Sequence, residues 1–329
     1  MVQGPLRLKT IYVGGGTPTT LSDLQFKRLL SMVQRHLNVP PEEWTCEANP
    51  ESLSREKLRV LKDYGVGRLS LGNQSFQPEV LEALGREHEP AHTYQAIRRL
   101  KEFGFQNFNV DLMFGAPGVD AEHLARDLEI LRDLDVPHVS AYCLSYESGT
   151  PLTGLRDRGR VQAQPAEFEL AQYRDVVRGL ENLGLHRYEI SNFAREGFES
   201  QHNRVYWQGM EYFGVGLGSG SYIDGVRRTN TRELGAYLGP WVDGRPPHDS
   251  ERLRGRARSR EMVILNLRMR EGISGRHLQQ ETGHSLADLY EPGLLERLVE
   301  LGLVARSDDS LRLTDRGFEL SDSVFVELV

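Results

Sequence analysis

An α/β fold, built from repeated βα units around a parallel sheet and followed by a smaller second module, is what this sequence predicts. Three observations carry that expectation. Short β-branched or aromatic runs alternate with longer amphipathic stretches, and each run ends in a glycine, proline or polar turn. After Trp241 the composition shifts, through Asp243-Gly244-Arg245-Pro246-Pro247 and then a run of arginines, as it does at a boundary between compact regions. At 329 residues the chain also exceeds the usual size of a single hydrophobic core.

Strands are predicted over residues 9–13, 44–47, 68–71, 107–113, 138–144 and 186–190, with helical faces at 23–37, 54–64, 93–103 and 122–134. In the first helix Leu24, Phe26, Leu29, Leu30, Val33 and Leu37 form one broad apolar stripe, as packing on a sheet requires. Periodicity alone leaves a TIM-like barrel, whole or partial, and an open doubly wound sheet as alternatives. The large domain is expected over residues 1–245 and the small one over 250–329. In the latter, helices at 260–270, 275–281 and 293–301 precede a hairpin-like VARSDDSLRLT, an order that resembles a winged helix.

Charge argues against nucleic acid as a partner. The net charge is −7, and the leucine-rich helix carries Glu291, Glu296 and Glu300 against Arg297, so phosphates would be repelled. The small domain therefore reads as a cap or protein-contact module. Arg252, Arg254, Arg256, Arg258 and Arg260 read as a solvated linker face without a function. No apolar run approaches the roughly 20 residues that span a bilayer. The N-terminus shows no basic-then-apolar leader, so a cytoplasmic location is expected. Cys46 and Cys143, far apart, offer neither a disulfide framework nor a zinc site, and two thiols fall short of the three or four that an iron–sulfur cluster needs.

The sharpest local signal is Gly14-Gly15-Gly16-Thr17-Pro18-Thr19, where the first predicted strand ends. Consecutive glycines let main-chain N–H groups approach a ligand, although the same turn also serves as a mere tight connection. Polar residues then recur at or just beyond later strand ends: Glu47 in WTCEANP, Gln74 after RLSLGN, Arg86 in ALGREHEP, and Asp111 inside NFNVDLMFG. Each alone is equally well a structural group. Together they suit an amino-acid nucleoside, because arginine takes a carboxylate, an acid accepts ribose hydroxyls, and Glu47 with the glycine loop can face an ammonium group. S-adenosylmethionine (SAM) has all three.

The segments GGGTPT, CEANPESL, RLSLGNQSF, ALGREH, NVDLMFGAPG and SAYCLSYESGTPL resemble, in order and over nearly the whole chain, the radical-SAM family of oxygen-independent coproporphyrinogen oxidases and HemW. The resemblance implies a partial (β/α) radical-SAM barrel, here missing its first βα unit, with a HemN C-terminal-like winged-helix domain. It implies that Gly14, Gly15, Gly16 and Thr17 cradle the methionyl part of SAM and that Glu47, Gln74, Arg86 and Asp111 complete the pocket. A [4Fe–4S] cluster is implied for the family, but its CxxxCxxC motif would lie upstream of GGGTPT and is absent here. A truncated chain or a misplaced start is therefore expected. Two departures stand out: Asn73 occupies a usual valine position, and Gly216-Leu217-Gly218-Ser219-Gly220-Ser221-Tyr222 replaces GPGAHSY.

Gln201-His202-Asn203-Arg204-Val205-Tyr206-Trp207 resembles the HNxxYW motif associated with heme binding in HemW. By that resemblance His202 is the candidate ligand of heme iron, with Tyr206 and Trp207 offering flat faces to the macrocycle; Tyr206 and Met210 are weaker ligand candidates. The competing reading is a loop histidine bonded to backbone while Tyr206 and Trp207 pack the barrel edge. The implied function is a heme chaperone whose partners are heme or porphyrin and recipient apo-hemoproteins. The alternatives are radical decarboxylation of coproporphyrinogen III, and a clusterless binding or scaffold protein. A barrel without its first strand exposes a sheet edge and part of a core, so low solubility is expected; a sharp cooperative melt from a monomeric sample would contradict this.

Overall fold

The computed structural model describes residues 7–241, 244–307 and 309–329. Residues 1–6, Val242, Asp243 of the expected boundary and Asp308 of the expected hairpin lie outside the described residues. The chain forms two compact units that adjoin in sequence between Glu199 and Ser200.

In the first unit β1 (Thr10–Val13), β2 (Glu43–Ala48), β3 (Arg68–Gln74), β4 (Asn107–Phe114) and β5 (His138–Cys143) lie side by side in chain order and run parallel. A doubly wound sheet reverses its strand order at a switch point, whereas a barrel wall keeps it, so the unbroken order decides for the barrel. Helices α1 (Asp23–Gln34), α2 (Arg55–Asp63), α3 (Pro78–Ala83), α4 (Pro90–Glu102) and α5 (Ala121–Asp133) fill the connections, followed by α6 (Pro151–Asp157) and α7 (Ala166–Asn182). Local chemistry starts them where they start. Ser22 and Gln25 form a reciprocal cap on α1, and Ser54 accepts from the Lys57 N–H at the head of α2.

In this unit two sequence expectations are corrected. The strand over 186–190 shrinks to β6 (His186–Arg187), which turns back into β7 (Asn192–Ala194); β7 is antiparallel to both β6 and β5. The buried Glu189 carboxylate causes the turn by accepting from the Ser191 N–H at 3.2 Å and from the Asn192 side chain. In α1 the apolar stripe is narrower than expected: Phe26 and Leu30 are fully buried while Leu24, in the first turn, is 79% exposed.

Side chains alternate along each strand, and this gives the sheet two unlike faces. Cys46, Ala48, Leu69, Leu71, Phe108, Val110, Leu112, Val139 and Ala141 join Phe26, Leu58, Ile97 and Leu131 in one apolar core beneath the helices. The intervening residues Thr45, Glu47, Arg68, Ser70, Asn109, Asp111, His138 and Ser140 point the other way, and most are buried despite being polar. Where α5 and α7 pack, Gly179 has no room for a side chain, since a Cβ there would lie 2.5 Å from Leu128 Cδ1.

The second unit opens with α8 (Gln201–Trp207) and an antiparallel sheet of β8 (Gly220–Ile223), β9 (Val226–Asn230) and β10 (His248–Glu251), with α9 (Leu234–Leu238) between β9 and β10. It continues as α10 (Gly255–Leu267), β11 (Ile273–Ser274), α11 (Gly275–Thr282), α12 (Leu286–Leu289), α13 (Leu294–Glu300), β12 (Val304–Arg306) and β13 (Ser310–Leu313), then α14 (Asp315–Glu319) and α15 (Ser321–Leu328). Helix, strand, helices and hairpin around a sheet ordered β11-β13-β12 form a winged-helix arrangement. Its arginine run is a solvated face only at Arg252 and Arg254, which are exposed. Arg256 and Arg260 donate to the Leu289 carbonyl at 3.0 and 2.8 Å, and Arg258 donates to Glu261 and to the Gly209 carbonyl and stacks on Tyr222. Among the described residues no helix is long and apolar enough to cross a membrane.

Asn73 is fully buried on β3, yet among the described residues neither end of its amide has a hydrogen-bond partner. An unmet buried amide costs on the order of 1–3 kcal/mol, and valine suits a strand. Asn73→Val is expected to raise stability by about 1 kcal/mol, read as a higher midpoint in thermal unfolding; a lower midpoint would refute the unpaired state of the amide.

Candidate functional site

The carboxyl ends of the parallel strands gather most of the expected SAM set. Gly14 follows the last residue of β1, and its missing Cβ matters: a Cβ there would fall 2.6 Å from the Glu47 carboxyl carbon. Gly15 adopts φ +84°, a conformation natural to glycine, and donates its N–H to Glu47 Oε2 at 3.2 Å. Glu47 Oε1 accepts from the Tyr12 hydroxyl at 2.8 Å. A carboxylate offers about four lone-pair sites, so with these two used Glu47 keeps capacity for a cationic ligand group. Beyond Thr17, Thr19 Oγ1 meets Ser52 Oγ at 2.6 Å and accepts from the Asn49 N–H at 3.3 Å, tying the glycine loop to the loop after β2.

Gln74 ends β3 in a left-handed conformation, φ +72°, which costs energy for a residue bearing Cβ. The following turn holds it there. The Asp127 carboxylate, from α5, accepts from Ser75 Oγ at 2.6 Å, the Phe76 N–H at 2.9 Å and Gln77 Nε2 at 2.9 Å. Asp111 sits on the polar face of β4, where burial pushes its carboxyl up to about 6, with Asn109 and Ser140 opposing the rise and Glu47 adding to it. Arg86 stands apart. It is exposed beyond α3, and among the described residues no hydrogen bond or ion pair joins its side chain to Glu47, Gln74 or Asp111. Its nearest link runs through the neighbouring His88, which bonds the Asn73 carbonyl at 3.0 Å.

The heme-motif residues lie on α8 in the second unit, a helix capped by Ser200, which accepts from the Asn203 N–H. His202 is thus helical rather than a loop residue. Its Nε2 lies 2.9 Å from the Tyr206 hydroxyl, the i,i+4 partner, and the rings meet edge-on at 5.0 Å. Tyr206 in turn meets Tyr212 at 4.6 Å, and burial with that neighbour raises its phenol. Trp207 carries the Arg268 guanidinium 4.3 Å from its ring centre, so one of the flat faces expected for a macrocycle is already covered. Its buried indole N–H has no partner among the described residues. Met210 is 41% exposed.

Comparison with known proteins places this geometry in a lineage. Residues 3–131 match the radical SAM superfamily and residues 253–320 the HemN C-terminal domain. The "Heme chaperone HemW" of Bacillus subtilis is 40% identical over 97% of this chain and 84% of its own length. The protein of the same name from Lactococcus lactis is 35% identical over 97% of this chain and 84% of its own. The chain belongs to the HemW family. A solved structure of coproporphyrinogen III oxidase (HemN) from Escherichia coli matches with a TM-score of 0.82 over 97% of this chain and 77% of that one; at 22% identity it shows the shared fold alone.

The groups this family implies meet the chain unequally. The uncovered main chain at Gly14–Gly16, the half-used Glu47 and the two-faced sheet fit an adenosyl amino acid. The two cysteines do not fit an iron–sulfur cluster. Cys46 is fully buried on the apolar face with its thiol pushed up to about 12, and Cys143 ends β5 with its thiol pushed up to about 11. Among the described residues no group of three or more histidine, cysteine or acidic side chains could hold a metal ion.

Sequence reasoning missed Tyr12, Asp127, Asn109 and His138. For Asn109 a signal was present, since NFNVD places Asn107, Asn109 and Asp111 at the strand period on one face. For Asp127 there was none, because its partners lie about fifty residues away in sequence. Gly14→Ala is expected to push the Glu47 side chain aside at little cost in stability, because only the end of a flexible side chain obstructs the new methyl. It should weaken binding of S-adenosylhomocysteine, a stable SAM analogue, at least about tenfold; equal affinity measured by calorimetry would remove Glu47 and its loop from the site.

Proposed function

We propose that this protein is a heme chaperone: it binds heme through the α8 segment and delivers it to apo-hemoproteins, on a barrel that also binds SAM. The observation that carries the reading is the His202–Tyr206 pair on HNRVYW, a motif set in a chain 35–40% identical to two proteins named heme chaperones. The oxidase alternative rests on a 22% identical relative and is correspondingly weaker.

His202 would hold the iron. With its proton on Nδ1, the imidazole presents the Nε2 lone pair that Tyr206 now engages, and iron takes that same lone pair when the hydroxyl turns away. A bond to a partly buried phenol is a weak competitor, worth about 1 kcal/mol net, so the exchange is easy in both directions. That reversibility suits a protein that must release what it binds. Tyr212, edge-on to Tyr206, gives the displaced ring a surface to rest on.

On the barrel, Gly14–Thr17, Glu47, Gln74, Arg86 and Asp111 would hold SAM, with Glu47 facing the ammonium group and Asp111 the ribose. SAM with its family's cluster supplies a redox-active group; this chain's own residues bind and orient the nucleoside. For Arg86 to take part it must swing in from its exposed position, which its long side chain allows.

Heme titration followed by absorption tests the proposal. His202→Ala is expected to lower heme affinity at least about tenfold and to alter the Soret band, whereas Tyr206→Phe, which removes the competitor for Nε2, retains or strengthens binding. Identical spectra and affinities for wild type and His202→Ala would discard His202 as the ligand.

A further inference from the structure

The polar face of the barrel contains more order than the strand-tip residues use. Asn109 Nδ2 donates to Ser70 Oγ and to Asp111 Oδ1, each at 2.7 Å. The Asn109 Oδ1 lies 2.7 Å from His138 Nδ1, and His138 Nε2 lies 2.9 Å from the Tyr188 hydroxyl. Register makes this possible, since Ser70 and His138 flank Asn109 on neighbouring strands. Asn109 is 1% exposed, His138 is fully buried and Tyr188 is 6% exposed, so water does not compete.

Hydrogen-bond inventory then fixes every direction. A carboxylate only accepts, so Asn109 must turn its amino end to Asp111 and its oxygen to His138. His138 must therefore carry its proton on Nδ1, and Nε2 must accept from Tyr188. Burial, with Arg68 nearby, holds His138 well below the usual histidine range and keeps it in this neutral form. Without the His138 donor the amide is free to turn over and present its oxygen to Asp111, which repels it.

We propose that Asn109, His138 and Tyr188 are positioning residues: a one-way chain of donors that holds the Asp111 carboxylate in a single orientation, ready to accept the ribose hydroxyls of an adenosyl ligand. The ribose half of this proposal rests on the SAM reading above; the carboxylate half does not. Asp111 needs such help because its surroundings oppose its charge. Glu47 from β2 adds like charge and the Tyr12 phenol from β1 and the Tyr142 phenol from β5 face it, while Arg68 from β3 and the Ser140 hydroxyl from β5 offset this in part.

The sign of the effect follows. Removing the Asn109 donor takes away support for the ionised form, so the midpoint of Asp111 must rise. Titrating the full chain without ligand, by NMR of aspartate labelled at the side-chain carboxyl carbon, reads it directly. Asn109→Ala and His138→Leu are expected to move the Asp111 midpoint up by about one pH unit. His138→Asn, whose amide can replace the Nδ1–H donor, should restore it. Tyr188→Phe removes one oxygen and leaves the fold intact, and there the ring nitrogens of His138 should lose their fixed tautomer in nitrogen-15 spectra. An Asp111 midpoint common to all variants, or unchanged His138 spectra in Tyr188→Phe, would overturn the proposal.

The second arm compares S-adenosylhomocysteine with its 2′-deoxy analogue. Asn109→Ala should reduce the preference for the ribose form at least about fivefold. A preference unchanged from wild type would overturn the ribose half. A wild type that binds neither compound would overturn the adenosyl reading itself, and the titration still decides the carboxylate half.

Discussion

A parallel sheet with one apolar and one polar face is the constraint on which the rest of this structure depends. Helices cover the apolar face and supply the hydrophobic stabilisation, at roughly 25 cal/mol for each square ångström removed from water. The polar face gains nothing from that term. Its side chains are out of water and must find their partners among themselves, or each one left unmet costs on the order of 1–3 kcal/mol. Ser70, Asn109, His138, Tyr188, Ser140 and Asn192 meet that demand with side-chain hydrogen bonds between strands and to the turn after β6, all between 2.7 and 2.9 Å. The network is rigid for the same reason it is tolerated: a partly satisfied version would be less stable than an apolar one.

The candidate site lies where the network ends. At the strand tips Glu47 is half satisfied, Asp111 is supported by Asn109 and Ser140, and Gly14–Gly16 leave main chain open. Energy spent deeper in the molecule supports these positions. Asp127 uses three hydrogen bonds to stabilise a turn whose first residue, Gln74, sits in an unfavourable backbone conformation. A strained residue persists only when its surroundings over-determine it, and here a buried carboxylate does so.

Much of this was legible from the residues alone, and the failures have physical causes. The strand–helix alternation indicated the βα units, and GGGTPT, Glu47, Gln74 and Asp111 stand out as candidates because their residue types sit at strand ends. Local pattern could not choose between barrel and doubly wound sheet, since strand order is a long-range property. The strand over 186–190 failed because Glu189 satisfies its neighbours' donors locally and turns the chain, a competition that apolar periodicity does not register. Arg86 shows the opposite limit. Its sequence position matches a family motif, yet a motif specifies neighbours along the chain and leaves the rotamer of a long surface side chain undetermined.

The second unit shows why a fold name carries so little about partners. A winged helix presents one helix to DNA when that helix and its surroundings are basic. Here α13 exposes Glu296 and Glu300, and its Arg297 is paired with Glu327. Three members of the basic run are engaged internally, while Arg252 and Arg254 stay exposed: Arg256 and Arg260 satisfy the last carbonyl of α12, and Arg258 is shared between Glu261, the Gly209 carbonyl and the face of Tyr222. A guanidinium already meeting a carbonyl at about 3 Å must break that bond before it can neutralise a phosphate, so its contribution to binding falls by the strength of what it leaves. Arg256, Arg258 and Arg260 thus serve as internal clamps on the fold, and the unlike chemistry of this unit gathers at α8, where His202, Tyr206 and Trp207 stand with Tyr212 and Arg268 against them.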